Sequence, residues 1–203
     1  MTTHILRIIT SPRGEASVST KLGNAIVGKI KAKYPDSVVK ERNLATHPLP
    51  HLDDVTISSF FTPTKNLSAE QSNAISFSDK AINELQEADI IVLDTPMYNF
   101  TITSTLKTYL DHIVRRGITF QVTENGIEGL LKDKKVYLAF SASGNYSNGG
   151  SEQAFDFVVP LIKAVFGWLG MADITVFRVE GFRDPKVQEA VVLQQEIDRI
   201  AIS

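Results

Sequence analysis

Apolar residues along this chain fall into short continuous runs, and the stretches between the runs show helical spacing. Runs of this kind are typical of parallel strands that are covered on both faces. Five are present: Ile5 to Ile9, Val38 to Arg42, Ile90 to Leu93, Val136 to Phe140 and Ile174 to Val179. Strict alternation of strand and helix predicts an α/β fold, with a doubly wound five-stranded parallel sheet and helices on both faces.

Capping residues and prolines predict where several helices begin and end. The Ser-x-x-Gln pattern at Ser68 predicts a capping box at the start of the second helix. Gly117, which follows two arginines, predicts the end of the third helix. Pro160 predicts a kink or break near residue 159 of the fourth helix. Asp184 and Pro185 predict the N-cap and the first residue of the last helix.

The segment from Leu44 to Leu67 contains three prolines and shows no clear periodicity. Loops this long are uncommon inside a domain unless they have a function. We therefore expect a lid, a subunit contact or a pocket wall. His47 and His51 in this segment have prolines between them and no third ligand nearby, so we interpret them as part of a solvated turn and predict no metal site.

Composition narrows the possible classes of function. A chain of 203 residues with 43% hydrophobic residues predicts a single domain over residues 1–203. The net charge of -2, with both signs interspersed, disfavours nucleic acid and anionic membranes as partners. Because cysteine is absent, disulfides and thiol redox centres are excluded, and any redox chemistry requires a cofactor. The chain shows neither a secretory signal nor an apolar stretch that could span a bilayer, so we expect a cytoplasmic protein.

Hydroxyl groups cluster where the first strand leads into the first helix. Ser11, Ser17, Ser19 and Thr20 can add donors to the free N–H groups and positive dipole end of a helix. A monophosphate such as that of FMN fits this arrangement. The alternative is that Ser17 or Ser19 is only an N-cap. The glycine patterns of Rossmann dinucleotide sites and nucleotide-triphosphate loops are both missing.

A second loop, from Pro96 to Phe100, follows the third apolar run, and open α/β sheets bind ligands at the carboxyl ends of their strands. Met97 and Tyr98 offer soft or flat apolar surface, and Asn99 tolerates unusual backbone angles. Such a loop can hold a flat ring. The alternative is a proline-bounded loop that buries its aromatic side chains in the core.

This pentapeptide, with the residues that follow it, resembles the FMN-dependent NADH azoreductases, which belong to the flavodoxin-like quinone reductases. The resemblance extends to the loops after the first and fourth strands and to the segment from Gly167 to Gly181, so it covers most of the chain. The matching residues after the pentapeptide are Leu106, Tyr109, Asp111, Arg115, Gly117, Thr119 and Phe120. The resemblance implies a flavodoxin-like fold, bound FMN, NADH or NADPH as donor, and azo compounds or quinones as acceptors in a two-electron ping-pong reaction.

The resemblance also implies three groups of FMN-binding residues and one group near the substrate, and it assigns no proton-transfer catalyst. The phosphate would be bound by Ser11, Ser17, Val18 and Ser19. The ring would be held by Pro96, Met97, Tyr98, Asn99 and Phe100. The third loop would contribute Ser141, Ala142, Ser143, Gly144 and Tyr146. Phe120 matches a family position at the pocket edge, with Phe60 and Phe61 as weaker substrate candidates.

The third loop departs from the family, which often has serine, arginine and two glycines there. Ala142 lacks the positive charge, and Ser143 replaces a glycine. We expect the departure to affect flavin potential and substrate preference more than FMN binding.

The resemblance implies a homodimer with the flavin at the subunit interface. We keep two alternatives: a flavodoxin-type carrier of single electrons, and a general NAD(P)H:FMN or nitro reductase. Electron carriers usually present a strongly acidic docking face, so a net charge of -2 favours an enzyme. We expect His112 on the surface or at a subunit contact, and Asp94 as a brace of the flavin loop.

Overall fold

The computed structural model describes residues 2–147, 149 and 152–203. Its strands are β1 (His4–Ile9), β2 (Val38–Asn43), β3 (Ile90–Pro96), β4 (Phe120–Thr123), β5 (Gly126–Gly129), β6 (Lys135–Ala142) and β7 (Asp173–Glu180). Five of them form one parallel sheet in the order β2-β1-β3-β6-β7. The five predicted strands and their parallel arrangement are therefore confirmed.

The sheet lies between two layers of helices. These are α1 (Val18–Lys33), α2 (Asp54–Phe61), α3 (Ala69–Glu87), α4 (Ser104–Ile113), α5 (Val159–Trp168) and α6 (Glu189–Arg199). Leu85, Leu106 and Ile162 from α3, α4 and α5 share one core with the sheet. Leu22 of α1 and Ile197 of α6 pack in a second core on the other face. Every residue of β3 is buried, which explains why the central strand reads as a continuous apolar run.

Two of the predicted helix boundaries are confirmed. Ser68 and Gln71 form the reciprocal bonds of a capping box at the start of α3. The expected break near residue 159 is also present, because α5 begins at Val159 with Pro160 in its first turn. Proline is tolerated there since the N–H groups of a first turn have no intrahelical acceptor.

Two other predicted boundaries are wrong. α4 ends at Ile113 rather than at Gly117, because the Thr119 hydroxyl donates to the Ile113 carbonyl at 2.6 Å and accepts from the Arg115 N–H. α6 begins at Glu189 rather than after Asp184. The Asp184 side chain instead accepts from the N–H of Lys186 and stabilises a separate turn before the helix.

The structure contains elements that were not predicted. Within the segment 44–67 lies α2, whose first turn is capped by Asp53 accepting from the N–H of Thr56 at 2.8 Å. β4 and β5 form an antiparallel hairpin. Gly129 of the hairpin packs so closely on Gly170 that an added Cβ would lie 2.1 Å from the Gly170 nitrogen.

Among the described residues, no helix is both long and apolar enough to cross a membrane.

The prediction that His112 lies on the surface is wrong. Its side chain is buried, and its Nε2–H donates to the carbonyl oxygen of Pro50 at 2.8 Å. The ring of Phe60 packs against it edge to face, with 6.5 Å between the centroids. His112 therefore attaches α2 and the preceding prolines to α4.

Candidate cofactor site

Three loops meet at the carboxyl edge of the sheet, because β1, β3 and β6 are adjacent and parallel. The Met97 N–H donates to the carbonyl of Ser141 at 2.8 Å, and the Thr10 N–H donates to the carbonyl of Asp94 at 3.1 Å. A cavity of about 210 Å³ opens between the loops. The predicted residues that line it are Ser11, Ser17, Val18, Pro96, Met97, Tyr98, Ser141, Ala142 and Ser143.

The loop after β1 presents donors that are not used in capping. Ser17 is the N-cap of α1, but its side chain makes no capping bond and its Oγ lies 3.0 Å from Oγ of Ser19. Both hydroxyls are buried, and Ser19 lies inside the helix. The first N–H groups of a helix have no intrahelical acceptor and carry its positive dipole end. This donor set suits the phosphate of FMN, and the side chain of the N-cap residue Ser17 makes no capping bond of its own.

The loop after β3 is held in a strained conformation. Tyr98 and Thr101 exchange main-chain hydrogen bonds of 3.0 and 3.1 Å, and both residues between them have positive φ, 47° at Asn99 and 70° at Phe100. These features match a type I′ turn, which favours Asn followed by Gly. An aromatic residue in the left-handed region is a genuine outlier. The turn leaves Tyr98 and Phe100 exposed, so the loop does not bury its aromatic residues in the core.

A larger cavity of about 720 Å³ lies beside the same loop. Thr10, Pro12 and Asn99 line it, together with the start of α4, and Tyr98 lines both cavities. Its volume is in the range of small-molecule sites. The larger cavity does not include the serines after β1, so the smaller one is the better candidate for the phosphate.

The third loop is tethered from behind by the chain that follows β7. The carbonyl oxygens of Ser143 and Gly144 accept from the N–H groups of Arg183 and Gly181 at 2.7 and 3.0 Å. Arg183 also pairs with Glu152, and this bond, with one from the Asn145 N–H, holds the pKa of Glu152 below its ordinary value. Gly144 and Tyr146 do not line the cavity, and both are buried.

A buried ion pair connects β1 and β3 beneath the site. Arg7 donates from Nε and Nη2 to one oxygen of Asp94 at 2.9 and 2.7 Å, and from Nη2 to the carbonyl of Thr20 at 3.0 Å. Complete burial raises the pKa of Asp94 to about 8, against the opposing effect of Arg7. Asp94 therefore braces β1 and the first turn of α1, whereas the sequence predicted that it would brace the flavin loop.

The aromatic substrate candidates lie away from both cavities within one chain. Phe60 packs on Arg115, with 4.8 Å between the guanidinium carbon and the ring centroid. Phe61 is 78% exposed, and the ring of Phe120 contacts Trp168 with a centroid distance of 6.0 Å. Their role in binding substrate stays a prediction.

Sequence reasoning missed Phe182, which lines the smaller cavity, and Phe155, whose ring lies 5.4 Å from that of Phe100. Phe182 directly follows the motif at Glu180 and Gly181, so its position offered a signal. Phe155 offered none, because the helical spacing around it indicated core packing instead.

Comparisons with known proteins show which family the chain is similar to. The family described as a flavodoxin-like fold matches residues 3–201. An FMN-dependent NADH:quinone oxidoreductase of Herminiimonas arsenicoxydans is 44% identical over 179 residues, which is 88% of this chain and 87% of that protein. One of the same name from Agrobacterium fabrum is 42% identical over 190 residues, covering 93% and 92%. The crystal structure of an azoreductase from Bacillus anthracis has a TM-score of 0.88 at 29% identity, covering 98% of this chain and 96% of that one.

Proposed function

Because this chain belongs to the flavodoxin-like family of FMN-dependent NADH:quinone oxidoreductases, we propose that it is an FMN-dependent enzyme that reduces quinones and azo compounds. NADH or NADPH is the electron donor, and the names of the relatives favour NADH. The observation that carries the proposal is the meeting of three loops around one cavity at the carboxyl edge of the sheet.

Each loop has its own task in this proposal. The first turn of α1, with Ser11, Ser17 and Ser19, binds the phosphate. The turn from Met97 to Phe100 holds the flat ring, and main-chain groups of the third loop face its polar edge. The proposed FMN residues are those predicted from the sequence.

When bound, FMN accepts a hydride from the nicotinamide and supplies two electrons to the acceptor. The chain contributes position and an apolar surface. Tyr98 lies between the two cavities and separates the phosphate side from the larger space where a flat substrate can stack. No side chain is assigned to proton transfer.

We also propose a cytoplasmic homodimer. Phe61, Trp168 and Val122 are each about half exposed or more, and Phe61 lies in the segment predicted to contact a subunit. Large apolar side chains in water favour association. The proposed location follows from the donor, since nicotinamide nucleotides are available in the cytoplasm.

Anaerobic stopped-flow absorbance tests the function. FMN-loaded protein is mixed with NADH or NADPH and then with a quinone or an azo dye. Rapid bleaching and acceptor-dependent return of the flavin spectrum are expected. If the flavin is instead reduced in two separate one-electron steps and the one-electron form accumulates, the result would support an electron carrier.

A matched pair of variants tests the site. Removing both hydroxyls with Ser17→Ala and Ser19→Ala is expected to lower FMN retention during gel filtration. Ser76→Ala, which removes an exposed hydroxyl on α3, is the control and should leave retention unchanged. Equal FMN retention by the unaltered protein, the double variant and Ser76→Ala would contradict the assignment of Ser17 and Ser19 to the phosphate.

A further inference from the structure

Arg13 lies at the rim of the smaller cavity, and its side chain has no charged partner among the residues that the structure describes. It directly precedes a short 3-10 helix, Gly14–Ala16, in the loop between β1 and α1, and it lines the cavity beside Ser11 and Ser17. Within residues 2–147, 149 and 152–203, no acceptor pairs with its guanidinium. The nearest acid in sequence, Glu15, accepts from the Asn24 side chain at 3.2 Å. The exposed cation is thus free to bind a ligand.

Neighbouring arginines differ from Arg13 in this respect. Arg7 is paired with Asp94, and Arg183 is paired with Glu152. These guanidinium groups hold elements of the fold together. The side chain of Arg13 is exposed and holds no element, so its removal is expected to leave the fold unchanged.

The charge of the cavity makes Arg13 significant. Among its described lining residues, Arg13 alone carries a formal charge. Position 142 is alanine, so the third loop supplies no cation there. A phosphate monoester carries a charge between -1 and -2 near neutral pH, and arginine binds it through charge-assisted, often bidentate, hydrogen bonds.

We propose that Arg13 binds the phosphate of FMN and selects the phosphorylated flavin over riboflavin. The inference rests on the proposed function, because it requires FMN as the ligand. It goes further in assigning a specificity-determining residue, whose effect depends on the phosphate and not on the ring.

Binding of two flavins to the apoprotein tests the proposal. Affinity for FMN and for riboflavin is measured by quenching of flavin fluorescence, at low and at high ionic strength. Arg13→Gln is expected to weaken FMN about tenfold, as for the loss of one charge-assisted hydrogen bond, and to reduce the salt dependence. Riboflavin affinity should not change, and Arg13→Lys should restore part of the FMN affinity.

The matched control is Arg116→Gln, which removes an exposed arginine that does not line either cavity. It should leave both affinities unchanged. Equal weakening of FMN and riboflavin by Arg13→Gln would place the cation at the ring and overturn the proposal. Unchanged FMN affinity in Arg13→Gln would overturn the assignment of Arg13 to the phosphate and leave the proposed function in place. Failure of the unaltered protein to bind FMN would overturn both.

Discussion

At the scale of single residues, the conformation of Phe100 is the most informative feature of the site. A left-handed conformation at a residue with a side chain costs about 1–2 kcal/mol relative to a right-handed one, and such strain clusters at functional sites. Two reciprocal hydrogen bonds between Tyr98 and Thr101 and a bond from the Phe157 N–H to the Phe100 carbonyl at 3.1 Å hold it in place. The fold thus keeps an aromatic ring where glycine would be more stable.

Substitutions at Phe100 can separate backbone strain from the role of the ring. Phe100→Gly and Phe100→Ala both remove the ring, but only alanine keeps a Cβ in the left-handed region. We expect the glycine variant to be more stable than the alanine variant by about 1 kcal/mol, measured by urea unfolding of the apoprotein. Both should bind FMN more weakly than the unaltered protein. If the alanine variant is more stable than the glycine variant, the conclusion that the backbone is strained at Phe100 is contradicted.

Sequence could anticipate only part of this turn. Asn99 was expected to tolerate unusual angles because its short polar side chain stabilises them locally. Phe100 gave no such signal, since its conformation is imposed by the reciprocal bonds between Tyr98 and Thr101 and by the bond from the Phe157 N–H to its own carbonyl. Phe157 is distant along the chain, so no local pattern contains that bond. Sequence also could not predict whether Arg13 is free or paired, because that depends on the neighbours of the side chain in space.

At the scale of elements, the packing of α1 on β3 depends on a glycine. A Cβ at Gly23 would lie 2.0 Å from Oδ1 of Asp94, the carboxylate that Arg7 binds. Asp94 is wholly buried and cannot move into solvent. The close approach therefore sets how the phosphate-binding end of α1 sits on the sheet.

Two glycines of α1 are expected to respond oppositely to alanine. Gly28 is exposed and has nothing within 4 Å of an added Cβ, so Gly28→Ala should raise the free energy of unfolding by about 0.5–1 kcal/mol. Gly23→Ala should lower it despite the same gain in helix propensity. Thermal and urea unfolding measure both. Stabilisation by both substitutions would show that Asp94 does not restrict Gly23.

The elements that sequence predicted well are those buried on both faces. β1 and β3 lie between two helical layers, so their apolar runs are continuous. α2 was missed because its eight residues include few buried side chains, and the Asp53 cap stands among other polar residues. The β4–β5 hairpin was missed because its strands have four residues each and are largely exposed.

At the scale of the whole molecule, the three ligand loops could be predicted because parallel strands bring their carboxyl ends to one edge. The substrate aromatics could not be placed in the same way. Phe60 packs against His112 of α4 and Phe120 against Trp168 of α5, and neither lines a cavity of its own chain. In the proposed dimer, the partner chain could bring them to a flavin.

The proposed dimer gives a direct prediction about mass. Light scattering should give about twice 22.4 kDa. Phe61→Lys, which places a charge on a side chain that is 78% exposed, should shift the protein towards the monomer. Val191→Lys on α6 is the control, because α6 covers the other face of the sheet. If the unaltered protein has the mass of a monomer, the proposed dimer is contradicted. The reason for assigning Phe60 and Phe61 to the substrate is then lost as well.

His112 makes the stability of the whole molecule depend on pH. Burial lowers its pKa, although its bond to the Pro50 carbonyl and the nearby Asp111 carboxylate oppose that shift. Its Nδ1 is buried, with no hydrogen-bond partner among the described residues. An unfolded chain, in which histidine has a pKa of about 6.5, therefore takes up the proton first. Stability from neutral His112 is present above about pH 6.5 and is lost as pH falls below it.

A variant isolates this contribution from that of Asp94, whose raised pKa has the opposite effect, with stability falling as pH rises towards 8. His112→Gln keeps a donor for the Pro50 carbonyl but does not titrate. The free energy of unfolding of the unaltered protein minus that of the variant should decrease between about pH 8 and pH 5, because the Asp94 effect is common to both. A difference that stays constant or increases would mean that protonated His112 is accommodated in the folded protein, and that α2 does not hold it neutral against α4.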